Sequence, residues 1–96
     1  MILGTINSAP GNRLQYTIDY GQFLQKGETL EAVSFSVSSG SATIDTVSYD
    51  PKKTEVRFFL NGGDANSTYN IIAVATTTFG QEQTDQIIVQ VSSGVN

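Results

Sequence analysis

Apolar residues recur at every second position along much of this chain, the spacing of a strand with one buried face rather than of a helix. In Arg13 to Tyr20 the residues Leu14, Tyr16, Ile18 and Tyr20 share a side, and Gly21 ends the run. Leu30 to Val37 puts Val33, Phe35 and Val37 on one face and Ser34 and Ser36 on the other, before Ser38-Ser39-Gly40-Ser41 breaks the pattern. Ile44 to Tyr49 is a weaker strand stopped at Asp50-Pro51, where proline has no N–H for a ladder. Thr54 to Leu60 aligns Val56, Phe58 and Leu60, and Asn61-Gly62-Gly63-Asp64 turns the chain. Two further runs, Thr68 to Thr76 and Gln86 to Val91, are joined through Thr78-Phe79-Gly80-Gln81 and read as a hairpin. Ile2 to Ile6 is a candidate N-terminal strand.

About seven short strands at close intervals predict an all-β sandwich or small barrel. Tyr69 opens its strand just after the bend Gly63-Asp64-Ala65-Asn66-Ser67, the position of the corner tyrosine in immunoglobulin-like sandwiches. The expectation is therefore an immunoglobulin-like (fibronectin III-like) β-sandwich, with residues 1–96 as one domain and Tyr69 as its structural corner. No helical periodicity outlasts one turn. A single turn over Tyr20-Gly21-Gln22-Phe23-Leu24 would pack Phe23 and Leu24 onto the end of the sandwich.

Alternation also assigns outward residues. If Tyr69, Ile71, Ala73 and Ala75 point into the core, then Ile72 and Val74 point away. With Ile87, Val89 and Val91 inward, Ile88 joins them outside. Ile72, Val74 and Ile88 are candidate partner-docking residues on one outer face. Ile2, Leu3 and Ile6 form a second candidate set, because a free tail so apolar invites aggregation. That segment is expected to add a strand, to its own sandwich or to a neighbouring subunit.

Composition narrows the function. A net charge of −4 with one basic pair, Lys52-Lys53, argues against nucleic acid, which needs a basic patch to displace counterions. No run approaches a membrane span, and the opening residues lack the charged start of a signal peptide. Without Cys or His there is no thiolate, no Ser-His or Cys-His pair and little prospect of zinc. Asp45, Asp50, Asp64 and Asp85 read as solvated carboxylates at turns and strand ends, since no segment gathers calcium ligands. No enzyme activity and no cofactor are expected. Without Trp, a sugar-binding surface would have to use Tyr49, Phe59 and Phe79, but Tyr49 and Phe79 read first as packing or loop-anchoring residues.

The whole layout resembles a family of small tailed-bacteriophage proteins, the fiber–tail adaptors. The resemblance rests on Ile2-Leu3-Gly4-Thr5-Ile6, on Asp19-Tyr20-Gly21-Gln22-Phe23-Leu24 followed by Gly27-Glu28-Thr29-Leu30, and on Leu60-Asn61-Gly62-Gly63. Thr68-Tyr69-Asn70-Ile71 and the turn Phe79-Gly80-Gln81-Glu82 complete it. Phe23 stands where the family typically has Trp, and Gly21 where it has Ser. The resemblance implies a non-enzymatic virion structural protein, made in the host bacterial cytoplasm and oligomeric in the virion. It would join tail and fiber by docking to other virion proteins, with no nucleic acid and no membrane. Alternatives are a carbohydrate-binding β-sandwich module and a capsid decoration protein.

Overall fold

A side chain pointing alternately to core and water makes each patterned run a strand with one wet face. The computed structural model describes residues 2–8, 11–38, 42–64 and 66–91, with seven strands among them and no helix. These are β1 (Ile2–Ser8), β2 (Arg13–Asp19), β3 (Leu30–Val37), β4 (Thr43–Tyr49), β5 (Glu55–Asn61), β6 (Ser67–Thr77) and β7 (Glu82–Val91). They form a four-stranded sheet in the order β1-β7-β6-β3 and a three-stranded sheet in the order β2-β5-β4. Every pairing is antiparallel except that of β1, which runs parallel to β7.

The core lies between the sheets. Val56, Phe58 and Leu60 of β5 face Ile71, Ala73 and Ala75 of β6 and Val89 of β7, all essentially fully buried. Phe58 is its centre, 4.7 Å from the ring of Phe35 and 6.0 Å from that of Tyr16. Small alanines on β6 leave room for the large aromatics opposite, the interdigitation that close packing requires. The turn after β2 folds as its sequence suggests. Phe23 and Leu24 both donate their N–H to the Tyr20 carbonyl, and their side chains pack against the core.

Two local devices hold the edges. Asp50 stops β4 because its Oδ1 accepts the N–H groups of Thr54 and Glu55 at 2.7 and 2.8 Å, closing the turn through Pro51. The Glu55 amide is the main cause holding this carboxyl below the usual range. On the outer side of β3 the Tyr49 hydroxyl accepts the Val33 N–H at 2.9 Å, and the Lys53 carbonyl accepts that of Leu30. Capped donors offer no template for stray strand pairing.

Three expectations need correction. β7 starts at Glu82 rather than Gln86, because the hairpin ladder pairs Thr76 with Glu82 and carries a polar stretch into the strand. Asp85 is consequently not a solvated turn residue; it faces inward and is 2% exposed. Leu14 shares the face of Ile18 but remains 47% exposed, since β2 is the edge strand of its sheet.

Candidate functional site

The outer face of the four-stranded sheet carries one candidate set. Ile71 and Ile87 are buried, so their neighbours Ile72 and Ile88 point outward. Register places Ile72 between Ser36 and Gln86, Val74 between Ser34 and Thr84, and Ile88 between Asn70 and Thr5. Ile72, Val74 and Ile88 are half-buried and sit on adjacent strands as one apolar centre. Around them lie only hydroxyls and amides, with Gln86 Nε2 donating to Asn70 Oδ1 at 2.7 Å. Across these rows no described residue on this face is charged.

The N-terminal candidates lie elsewhere. β1 pairs with β7 of its own chain, with Gly4 opposite Ile87 and Ile6 opposite Val89. Ile6 packs against the core. Leu3 sits in an irregularity between Ile2 and Gly4, is 39% exposed, and lines a groove of about 290 Å³ with Ile6, Ile18 and Ile87. The Ile2 side chain lies outside what the structure describes. The two docking sets are thus separate: one on the sheet face, the other at the open side between β1 and β2. Deeper along that side, the buried Tyr20 hydroxyl has no hydrogen-bond partner among the described residues. Burial, and secondarily the Asp85 charge, pushes its pKa up to about 12.

Tyr69 is 2% exposed, and its hydroxyl accepts the Asp64 N–H at 2.9 Å. Gly63 lies directly against it. A Cβ at that position would stand 2.5 Å from the ring and from the hydroxyl oxygen, so only glycine fits beneath Tyr69.

The outer face of the three-stranded sheet is different in kind. Arg13 meets Asp45 at 2.6 Å and stacks over the Phe59 ring at 4.0 Å from its centroid. Asn61 Nδ2 donates to the other Asp45 oxygen at 2.7 Å, and the Thr46 hydroxyl donates to the first at 2.8 Å. Led by the Arg13 bond, these contacts hold the Asp45 carboxyl at about 2. Thr46 adopts a φ of +52° where β4 slips its register against β5. Such a conformation is costly for a β-branched residue. Nothing local in sequence couples Arg13 to Asp45; both strands meet β5, and only that register joins them.

Of the three aromatics weighed for sugar binding, Tyr49 packs against the core with its hydroxyl engaged by Val33, and Phe59 lies under Arg13. Phe79 stands 55% exposed at the tip of the β6–β7 hairpin. Among the described residues no three His, Cys, Asp or Glu side chains come together as a metal site.

Comparison with known proteins decides the family. A family model described as podophage GP4 fiber-tail adaptor protein gp77 matches residues 9–90. The chain belongs to this adaptor family. The matched span takes in β2 to β6 and nearly all of β7, with Tyr69, and starts beyond β1. It is the family that the Asp-aromatic, Leu-x-Gly-Gly and Thr-Tyr elements resemble. Among solved structures, a solution structure of amebosin is similar with a TM-score of 0.52 at 16% identity, over 95% of this chain and 96% of that one. At that identity the likeness concerns the fold alone. No curated protein matches the sequence.

Proposed function

We propose that this adaptor-family chain is a non-enzymatic virion building block that joins tail and fiber proteins by docking. It is made in the host bacterial cytoplasm and incorporated into the particle as part of an oligomeric assembly. Its single domain is an immunoglobulin-like sandwich of the fibronectin III kind, with the first strand crossing to pair with the last and Tyr69 closing the corner. The two-sheet strand order and the Tyr69–Asp64 bond support the immunoglobulin-like part of that reading.

The observation that carries the docking assignment is the apolar centre of Ile72, Val74 and Ile88, whose own rows across the sheet hold no charged residue, with Glu82 one row beyond Val74 at the hairpin end of the face. A face to be covered by another protein avoids charges, since burying an unpaired one is costly. Apolar residues at the centre with hydroxyls and amides around them match the anatomy of an interface core and its rim. A rigid sheet presents them with little ordering cost on binding. Leu3, with Ile6 behind it, offers a second, smaller contact at the groove beside β1.

The test is Ile72→Asp in the phage. The variant is expected to fold as a monomer yet fail to enter particles. Should it unfold, Ile72 belongs to the core; should it assemble normally, the docking surface lies elsewhere.

A further inference from the structure

The tip of the β6–β7 hairpin is held by an unusual amount of buried polar structure. Glu28, only 4% exposed, reaches under the turn from the loop before β3. One of its carboxylate oxygens accepts the Gln25 N–H at 2.8 Å, and both accept from Gln81 Nε2 at 2.9 and 3.0 Å. The Thr77 hydroxyl, itself buried, also donates to it. That same hydroxyl oxygen accepts the N–H groups of Phe79 and Gln81, at 3.3 and 3.1 Å. A second pair of bonds bolts the turn sideways: Thr78 N–H donates to the Thr29 carbonyl, and Thr29 N–H to the Thr78 hydroxyl. Gly80, at a φ of +84°, completes the three-residue hairpin loop.

Burying a carboxylate opposes folding unless its bonds offset the lost hydration. Here burial works against ionisation, but the bonds from Gln25, Thr77 and Gln81 outweigh it and keep the Glu28 carboxyl below its ordinary value. A turn that merely connected two strands would need none of this, because a loop with Gly at the left-handed position closes by itself. What the network immobilises is the backbone on both sides of Phe79, the most exposed large apolar side chain among the described residues. Its flanks are slim, with Thr78 on one side and Gly80, which has no side chain, on the other. A projecting ring with slim flanks fits into a pocket better than onto a flat surface.

We infer that Phe79 is a pre-positioned anchor that inserts into an apolar pocket of a second virion protein, with Glu28 as its positioning residue. The inference rests on the adaptor reading and supplies what that reading requires, a second contact distinct from the Ile72 face. Interface energy concentrates in rigid aromatic anchors of this kind, and pre-ordering the loop removes part of the entropic cost of docking.

The experiment titrates the full purified chain onto particles of its phage grown without it. Wild type is expected to bind saturably. Phe79→Ala is expected to bind about tenfold more weakly or worse, the scale of a hot-spot truncation, with an unchanged melting temperature. Phe79→Leu should keep part of the affinity. Glu28→Gln, which sets an amide against the Gln81 amide, should speed amide hydrogen exchange at residues 79–81 and weaken binding. Combined with Phe79→Ala it should add no further loss, because the two act through one contact.

If wild type does not bind these particles, the adaptor reading fails and the anchor falls with it. If wild type and Phe79→Ala bind alike, the anchor is wrong while the adaptor reading stands. Competition of wild-type binding by free sugars would make Phe79 a glycan-stacking residue and overturn the protein pocket. Additive losses in the double variant would reduce Glu28 to a staple of the loop. If Glu28→Gln does not fold, the Phe79 substitutions still decide whether the anchor exists.

Discussion

The two outer faces of this sandwich are built from strands with the same in-out alternation, yet they carry different chemistry. On the three-stranded sheet, Arg13, Asp45, Arg57 and Glu55 stand among exposed residues, and Arg13 bridges to Asp45 and covers Phe59. On the four-stranded sheet, Ile72, Val74 and Ile88 are surrounded by Ser, Thr, Asn and Gln. A charged network is stable in water and expensive to cover; a hydroxyl-and-amide surface around an apolar centre can be covered at little cost. Side chains that face away from a core thus report what lies beyond it. One face is suited to water and the other to a partner.

The same charge placed on each face should have very different consequences. Ile72→Asp and Thr17→Asp both place a carboxylate on an outward strand position, the second opposite Arg57. Incorporation into particles, measured by quantitative immunoblot of purified virions, is expected to drop by about tenfold or more for the first and to stay at wild type for the second. Equal losses would mean that both faces dock or that neither does.

Gly63→Ala gives the control for stability, since it acts on the core and touches neither face. The new methyl group would overlap Tyr69, so the chain is expected to lose about 1–3 kcal/mol in urea melts, the usual cost of overpacking. Its incorporation should follow the folded fraction only. Tyr69→Phe removes the hydroxyl that accepts from Asp64 N–H and is expected to cost about 1 kcal/mol in the same melts. No loss would leave Tyr69 a packed aromatic without a corner role.

The smallest effect belongs to the charged face itself. The folded-state pKa of Asp45, at about 2, lies below its ordinary value of 3.8. A depressed carboxyl stabilises the fold fully above the ordinary value and loses that contribution as pH falls through the folded one. The stability gap between wild type and Asp45→Asn should therefore close as the pH falls from about 4 toward about 2. It should be small at neutral pH and shrink with added salt, because the pair is exposed. Docking through the Ile72 face should not follow either variable.

Much of this was readable from residues in order. Val56, Phe58 and Leu60, or Ile87, Val89 and Val91, declare a strand and its buried side without any knowledge of partners, because side chains alternate by covalent geometry. The outward placement of Ile72, Val74 and Ile88 follows from the same rule. The first half of β7 was not readable, because Glu82, Gln83, Thr84 and Asp85 have no apolar alternation; the ladder with β6 holds them in a strand. Nor was the partner of the Tyr49 hydroxyl, which reaches from the edge of one sheet to the edge of the other.

Strands and their faces are written in the order of residues, since period-two alternation, turn residues and short signatures act over a few positions. Which distant groups meet is set by the folded arrangement. Arg13 with Asp45, Gly63 under Tyr69, Glu28 beneath the turn of Phe79 and the split between Leu3 and the Ile72 face all depend on strand order and on sheet-to-sheet packing. These are contacts between residues far apart in the chain or in close approach across a bend. No local preference encodes them, because their energy exists only once the two sheets have closed on one core.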